Sequence, residues 1–133
     1  MSALQRKVLE RLVDDYCAAW SEADAARRAA LLARVWSPGA SYTDPRAQLV
    51  GADQLAAHIA KVLAQRPGAR VVRTSAIDLH HGLARFTWRV VQADGSMLPE
   101  GIDFAEISPD GKLRRIVGFF GPLAAASAAK TCK

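Results

Sequence analysis

Two segments of alternating polarity, joined by a tight turn, occupy residues 83–107, with the sequence LARFTWRVVQADGSMLPEGIDFAEI. In residues 83–92 and 97–107, apolar side chains recur at every second position, as they do in strands with one buried face. The intervening Asp94-Gly95 pair is typical of a two-residue hairpin turn, because such a turn needs a left-handed backbone that these residues tolerate. This stretch therefore predicts an antiparallel hairpin.

The hairpin turn also predicts which residues face each other. A two-residue loop pairs Ala93 with Ser96 and, farther from the turn, Phe86 with Asp103. Directly opposed residues share one face of a sheet, so Asp103 lies on the face of Phe86 and Trp88. An ionised carboxylate among aromatic rings is costly unless it is paired or hydrated. Asp103 is therefore expected either to be a neutral acid that donates to an oxyanion, or to lie at a wet cavity mouth or beside an arginine.

Helical periodicity precedes this hairpin, and strand periodicity surrounds it. Apolar residues recur at three- and four-residue steps in three predicted helices, at about residues 3–20, 25–35 and 53–65. Further strands are predicted at 40–44, 70–78 and 112–120, the last two completing a four-strand meander. Helices followed by a meander indicate an α+β fold in which helices cover one face of a curved sheet.

The register of the last hairpin stays open at this point. A four-residue loop places Ile116 and Gly118 on the face of Asp103. A three-residue loop with a bulge places Val117 and Phe119 there instead.

Length and composition exclude several classes of protein. The chain has 133 residues, enough for one domain, and 50% of them are hydrophobic, which excludes a largely disordered chain. The net charge is +5, but the arginines are scattered and no aromatic-basic motif occurs, so no nucleic-acid partner is expected. No apolar run is long enough to span a membrane, and the first residues lack the apolar segment of a signal peptide. The sequence thus predicts a cytoplasmic protein.

Two further side chains are candidates for proton-transfer chemistry. Asp44 ends the short predicted strand, and Pro45 forces it into an extended backbone, although Asp before Pro is also a common start of a turn. Tyr16 lies on the apolar stripe of the first helix, so its hydroxyl is expected to point inward. The alternative is a core tyrosine that bonds a main-chain carbonyl.

The histidines and cysteines indicate neither a metal site nor a bound cofactor. His80 and His81 are adjacent at a turn and point apart if extended, and His58 stands alone on the third helix, in a cavity wall or in the core. Cys17 and Cys132 cannot make a disulfide framework, and Cys17 on an apolar stripe is typical of a core residue. No metal and no cofactor are therefore predicted.

The order of these elements resembles a known superfamily. Two helices, a short strand ending in YTDP (residues 42–45), a third helix and a strand meander are similar to the nuclear-transport-factor-2-like superfamily, and within it to the SnoaL-like polyketide cyclase and ketosteroid isomerase branch. The resemblance covers about residues 5–121, leaves 122–133 as a tail, and implies one SnoaL-like domain over 1–133. It implies a cone-shaped, curved antiparallel sheet wrapped around three N-terminal helices, an internal pocket, and a homodimer formed through the outer sheet face.

The resemblance also implies roles for the three candidate residues. Matched position by position, Asp44 corresponds to a proton-shuttling base, and Tyr16 with a neutral Asp103 corresponds to a pair of oxyanion donors. In ketosteroid isomerases further tyrosines support the catalytic one, whereas Trp36 and Ile59 occupy the matching helix positions here. A steroid substrate is therefore not implied.

Aromatic and polar side chains are expected to form the pocket wall. The predicted substrate-binding residues are Trp20, Trp36, Tyr42, His58, Phe86, Trp88 and Phe120. His58 replaces a pocket aromatic of the family and could bond a polar substrate or act as a second acid or base. A wall of this composition favours a small, largely apolar organic ligand.

These residues support three hypotheses about function. The first is a cofactor-independent enzyme of the isomerase or cyclase type, with Asp44 as base and Tyr16 and Asp103 as oxyanion donors. The alternative is a non-catalytic small-molecule-binding or dimerising domain of the same fold. A third option is hydrolysis by a water that Asp44 or Asp103 activates, which the apolar pocket inventory disfavours.

Overall fold

The computed structural model describes residues 2–127, which form three helices and seven strands. The helices are α1 (Ala3–Ala19), α2 (Ala25–Val35) and α3 (Ala52–Gln65). The strands are β1 (Trp36–Asp44), β2 (Ala47–Val50), β3 (Arg70–Arg73), β4 (Asp78–His80), β5 (Leu83–Val91), β6 (Gly101–Ile107) and β7 (Leu113–Phe119). The predicted helices are confirmed to within one residue at each end.

The strands form one sheet in the order β2-β1-β7-β6-β5-β3, with β4 also paired to β5. The sheet is curved and unclosed, and the α+β class is confirmed. Pairing is antiparallel throughout except between β1 and β7, which run parallel. The meander does not predict this parallel pair, because β1 lies outside the meander and about half of the chain separates β1 from β7.

The pairing of β5 with β6 has the predicted register, with Phe86 opposite Asp103. The predicted two-residue loop is wrong, because Val91 pairs with Met97, one residue out of step with the main ladder. The segment after Met97 takes up this offset before β6 begins. It contains Pro99, which has no N–H to give to a ladder, so the strand begins later than predicted.

The last hairpin adopts the first of its two possible registers. Gly118 faces Asp103, and Ile116 faces Ala105. A one-residue shift next to the turn accommodates the loop. As a result, a residue without a side chain lies opposite the buried carboxyl group.

The predicted strand at 70–78 is instead two strands, β3 and β4, that pair with different parts of β5. Between them the Ser75 hydroxyl accepts the backbone N–H of Thr87 at 2.8 Å, where a main-chain carbonyl would continue the ladder. A side chain has therefore replaced the backbone at the point where the chain bends.

The short strand predicted at 40–44 is longer, and it has a partner that the sequence did not indicate. Strand β1 begins at Trp36, directly after α2, and its pairing with β7 shifts between Trp36 and Ser41. Gly39, with φ +74°, lies in this shift, so its turn-forming backbone makes a bulge within the strand. Strand β2, for which the sequence predicted no element, pairs with the end of β1.

The two faces of the sheet differ in what covers them. The inner face packs against the helices, and its buried residues include Ala84, Phe86, Ala105 and Ile116. On the outer face Phe104 and Phe119 are exposed, with their rings edge to face at 6.3 Å. Dimerisation through this face stays a prediction.

Two further observations concern membrane-spanning helices and the C-terminal tail. No helix among residues 2–127 is both long and apolar enough to cross a membrane. In the tail, residues 122–127 contain no helix. The rest of the tail, including Cys132, lies outside the described residues.

Candidate functional site

A cavity of about 350 Å³ lies between the inner face of the sheet and helices α1 and α3. Its floor is formed by its most buried lining residues, Tyr16, Cys17, Tyr42 and Asp103. Its mouth is formed by exposed lining residues, Arg46, Arg66, Pro99 and Phe120. Apolar side chains line the walls between, including Val62, Val71, Val90 and Leu98.

Asp103 projects from β6 into the cavity floor and is only 5% exposed. The indole N–H of Trp88 donates to its Oδ1 at 2.9 Å. Burial raises the pKa of Asp103 to about 7; the Trp88 hydrogen bond acts against this, and the negative charge of Asp44 adds to it. Asp103 is thus bonded to an indole rather than to an arginine, and near neutral pH it is a weak acid that can hold a proton.

Two glycines make room for this arrangement. A Cβ on Gly118 would lie 2.7 Å from Asp103 Oδ1, and a Cβ on Gly101 would lie 2.4 Å from Cζ2 of the Trp88 indole. Both distances are shorter than van der Waals contact allows. The absence of a side chain at these two positions therefore leaves the space that the carboxyl group and the indole occupy.

Gly101→Ala is expected to lower the free energy of unfolding by about 1–3 kcal/mol, because the new methyl group overlaps the Trp88 ring. Urea denaturation monitored by circular dichroism measures the change. The matched control is the same substitution in a Trp88→Ala background, where the cost should shrink because the ring is gone. Equal costs in the two backgrounds would show that the overlap is not the cause.

Tyr16 lies beside Asp103 on the cavity floor. Its ring stacks on Trp36 with centroids 6.0 Å apart, and it is 2% exposed. Burial raises the pKa of Tyr16 well above its usual value, and the charge of Asp103 raises it further, while the Trp20 indole acts in the opposite direction. The hydroxyl is therefore neutral at all ordinary pH values and available as a donor.

Asp44, at the end of β1, has a hydrogen bond to each carboxylate oxygen. The Tyr42 hydroxyl donates to Oδ2 at 2.5 Å, and the backbone N–H of Arg46 donates to Oδ1 at 2.7 Å. Burial and this hydrogen bond raise the pKa of Tyr42, which keeps the hydroxyl protonated as the donor. Sequence reasoning missed this pair, although residues two apart on a strand share a face and the spacing was a usable signal.

The sheet order brings Asp44 and Asp103 to one cavity. Strand β7 lies between their strands, and Gly118 is its residue at this point. A Cβ there would be 2.7 Å from Asp103 Oδ1 and 3.8 Å from the Cβ of Asp44. The two acids therefore approach each other across a glycine, and both line the cavity together with Tyr16.

Most of the predicted binding residues line the same cavity. The Trp20 ring lies 5.4 Å from the Tyr42 ring and edge-on to His58 at 5.9 Å. On the opposite wall the rings of Trp88 and Phe120 are edge to face at 6.0 Å. A ligand in the cavity would thus lie between two aromatic groups.

Two predicted binding residues do not line the cavity. Trp36 lies behind Tyr16, and its indole N–H donates to the carbonyl of Ala40 at 3.2 Å. Phe86 is 2% exposed and belongs to the buried core. Phe86 does share a face with Asp103, but the helices cover the sheet at that position and leave it open nearer the mouth, so a shared face was not sufficient.

A sequence profile of the SnoaL-like domain matches residues 13–116, more than half of the chain. The chain belongs to the SnoaL-like family. No curated protein matches the chain.

Solved structures agree with this SnoaL-like assignment. A SnoaL-like protein from Agrobacterium tumefaciens strain C58, described as a candidate isomerase, is 31% identical over 87% of this chain and 99% of its own, with a TM-score of 0.81. A protein of unknown function with a cystatin-like fold from Methylobium petroleophilum PM1 is 21% identical over 94% and 83% of the two chains, with a TM-score of 0.71. A candidate SnoaL-like polyketide cyclase from Jannaschia sp. CCS1 is 15% identical over 83% and 85%, with a TM-score of 0.61. The last two show the fold alone.

The SnoaL-like cavity also contains residues that the sequence analysis did not assign to it. Cys17 lies on its floor, where burial raises the pKa of the thiol to about 12, so the sulfur is a neutral thiol and a poor nucleophile at neutral pH. Arg46 and Arg66 lie at its mouth. The sequence did contain a signal for Cys17, because it follows Tyr16 directly on α1. No feature of the sequence near Arg46 or Arg66 indicated that these arginines lie at the mouth of a cavity.

Within residues 2–127, no three His, Cys, Asp or Glu side chains are placed to hold a metal ion together. The groups that meet in the cavity are donors, acceptors and aromatic rings. Such a set is suited to binding an organic molecule and moving protons on it.

Proposed function

We propose that this SnoaL-like protein is a cofactor-independent enzyme that transfers a proton on a small, largely apolar carbonyl compound, as an isomerase or cyclase does. The observation that carries the proposal is the meeting of Asp44, Asp103 and Tyr16 in one mostly apolar cavity. Two carboxyl groups in such different environments can take opposite roles, one as an acid and the other as a base. The 31% identical SnoaL-like protein described as a candidate isomerase supports the same reaction type.

Asp103 and Tyr16 are the proposed oxyanion donors. The Trp88 N–H bonds Oδ1 of Asp103, which leaves Oδ2 to carry the proton and donate it to the substrate oxygen. The neutral Tyr16 hydroxyl provides the second donor. Donors held in a buried site stabilise developing negative charge more than they would in water, because they need not reorganise.

Asp44 is the proposed base. Its two hydrogen bonds orient the carboxylate and leave a lone pair on each oxygen, since a carboxylate oxygen accepts two hydrogen bonds. Asp44 removes a proton from the carbon next to the carbonyl, and the electron pair of that C–H bond forms the enolate. Tyr42 is a positioning residue, because it acts on the substrate only through Asp44.

The fate of the enolate distinguishes the two reaction types. If the substrate has a carbon–carbon double bond between its β and γ carbons, the enolate is a dienolate. Return of the proton from Asp44 to the γ carbon then moves the double bond into conjugation with the carbonyl, and the product is an isomer. If the enolate carbon attacks a second carbonyl of the same molecule, a C–C bond forms and the resulting alkoxide takes the proton. Both routes are balanced without an added cofactor.

Titration with β-naphthol, a planar mimic of an enolate, tests the site. The cavity should bind it and shift its absorbance towards that of the naphtholate, because Asp103 and Tyr16 donate to its oxygen. Asp103→Ala should weaken binding by about tenfold, the effect of losing a hydrogen bond to a charged group. An unchanged naphthol spectrum together with equal affinity in Asp103→Ala would sink the proposed site.

The non-catalytic alternative makes a different prediction for the same ligand. A binding domain would take up β-naphthol between the aromatic walls without polarising its hydroxyl. Binding without a spectral shift, and without catalysed exchange of protons on a matching ketone, would favour that alternative.

A further inference from the structure

The mouth of the cavity has a charge that the proposed proton transfer does not use. Arg46 follows β1 in the turn to β2, and Arg66 directly follows α3 as its C-cap. Two separate parts of the chain therefore bring exposed guanidinium groups to the lining of one cavity.

Neither guanidinium is neutralised by a carboxylate in the part of the chain that the structure describes. Arg66 donates to the side-chain oxygen of Gln92 at 2.9 Å, a neutral partner, and Arg46 uses only its backbone N–H to bond Asp44. By contrast, Arg73 is paired with Asp14, and Arg85 with an acid of its own hairpin. Positive charge at the mouth is thus left available to a ligand.

The acids of the cavity decide where an anionic group could lie. Asp103 lies on the floor and Asp44 approaches it across Gly118, so a second anion at this end of the cavity would be repelled and poorly hydrated. At the mouth an anion meets two cations and keeps part of its water. Between the two ends the walls are largely apolar. The cavity therefore has acidic groups at one end and basic groups at the other, with an apolar section between them.

We propose that the mouth is an anion subsite, so that the ligand of this cavity carries a carboxylate at one end, received by Arg46 and Arg66, and its reactive carbonyl at the other. The substrate class is thus an amphiphilic oxo acid with an apolar body. This inference rests on the function proposed above for the orientation of the carbonyl, but the anion subsite can be tested separately.

A matched pair of probes isolates the subsite. β-Naphthol presents only the hydroxyl, and 6-hydroxy-2-naphthoate adds a carboxylate at the far end of the same ring system. The readout is the ratio of their dissociation constants, measured by quenching of the tryptophans that line the cavity. In the native protein the carboxylate should improve affinity, and added salt should weaken hydroxynaphthoate more than β-naphthol.

Arg46→Gln and Arg66→Gln should each reduce this preference by about 1.5- to fivefold, the range for exposed ion pairs, and the double variant by about the product of the two single effects. Arg27→Gln is the charge-matched control, because Arg27 is exposed on α2 and does not line the cavity. Its ratio should equal that of the native protein. Circular dichroism confirms that each variant is folded.

The outcomes separate the two proposals. The anion subsite is overturned if the ratio of the two dissociation constants is the same in the double arginine variant as in the native protein. It is also overturned if Arg27→Gln lowers this ratio as much as the double variant does. Arginine-dependent binding of hydroxynaphthoate with no shift of its hydroxyl spectrum supports the subsite and rejects the proposed proton-transfer chemistry. A shift of the hydroxyl spectrum without a preference for the carboxylate supports the proton-transfer chemistry and rejects the anion subsite.

Discussion

Asp103→Asn is expected to abolish most of the pH dependence of stability between about pH 4 and pH 7. In the folded protein burial raises the pKa of Asp103 from 3.8 to about 7, so over this range the folded state holds a proton that the unfolded chain has lost. The protein should be most stable below pH 4 with respect to this group, and should lose this contribution as the pH rises to 7. At 1.36 kcal/mol per pH unit, the loss amounts to about 4 kcal/mol.

Urea titrations at a series of pH values measure this effect. Asparagine keeps an acceptor for the Trp88 N–H but cannot ionise, so the difference between native protein and variant should grow with pH and level off above pH 7. Asp53→Asn is the control, because it removes an exposed carboxyl group from α3 and should leave the slope in place. A slope that survives in Asp103→Asn would show that another group causes it.

Asp44→Asn is expected to lower the rate of proton abstraction about 10²–10⁴-fold, the usual contribution of a positioned general base. The reaction to follow is exchange of the protons next to the carbonyl of β-tetralone for solvent deuterium, observed by NMR. Its enol has nearly the shape of the β-naphthol probe. The amide of asparagine is similar in size to the carboxylate but cannot take up the proton.

Two comparisons show whether Asp44 acts as the base. Binding of β-naphthol should survive in Asp44→Asn, because the oxyanion donors are on α1 and β6. Tyr42→Phe should reduce exchange less than Asp44→Asn does, since it removes only a hydrogen bond that positions the base. Exchange at the native rate in Asp44→Asn would assign the base to another group and remove the main argument for this mechanism.

Hydrolysis stays less favoured than proton transfer for a physical reason. A hydrolytic water needs polar partners around it, whereas the walls of this cavity are largely apolar.

Local periodicity was enough to predict much of the floor. Alternation along β5 and β6 placed Asp103 on the inner face. Its predicted register is confirmed although the two-residue turn from which it was counted is wrong, because the segment after Met97 takes up the offset. The apolar stripe of α1 likewise pointed Tyr16 inward. Such features follow from the fixed repeats of strands and helices, which place side chains relative to their own element.

The sequence contains no comparable repeat that predicts which distant elements lie next to each other in the fold. The sequence alone determined the α+β class, the three helices and which way Asp103 and Tyr16 face, because each depends on residues close together in the chain. Only the tertiary structure decided that β1 runs parallel to β7, which brings Asp44 beside Asp103, and that Trp36 and Phe86 lie behind the cavity wall. It alone also placed two arginines at one mouth, because packing of distant segments against a common core obeys no short sequence repeat.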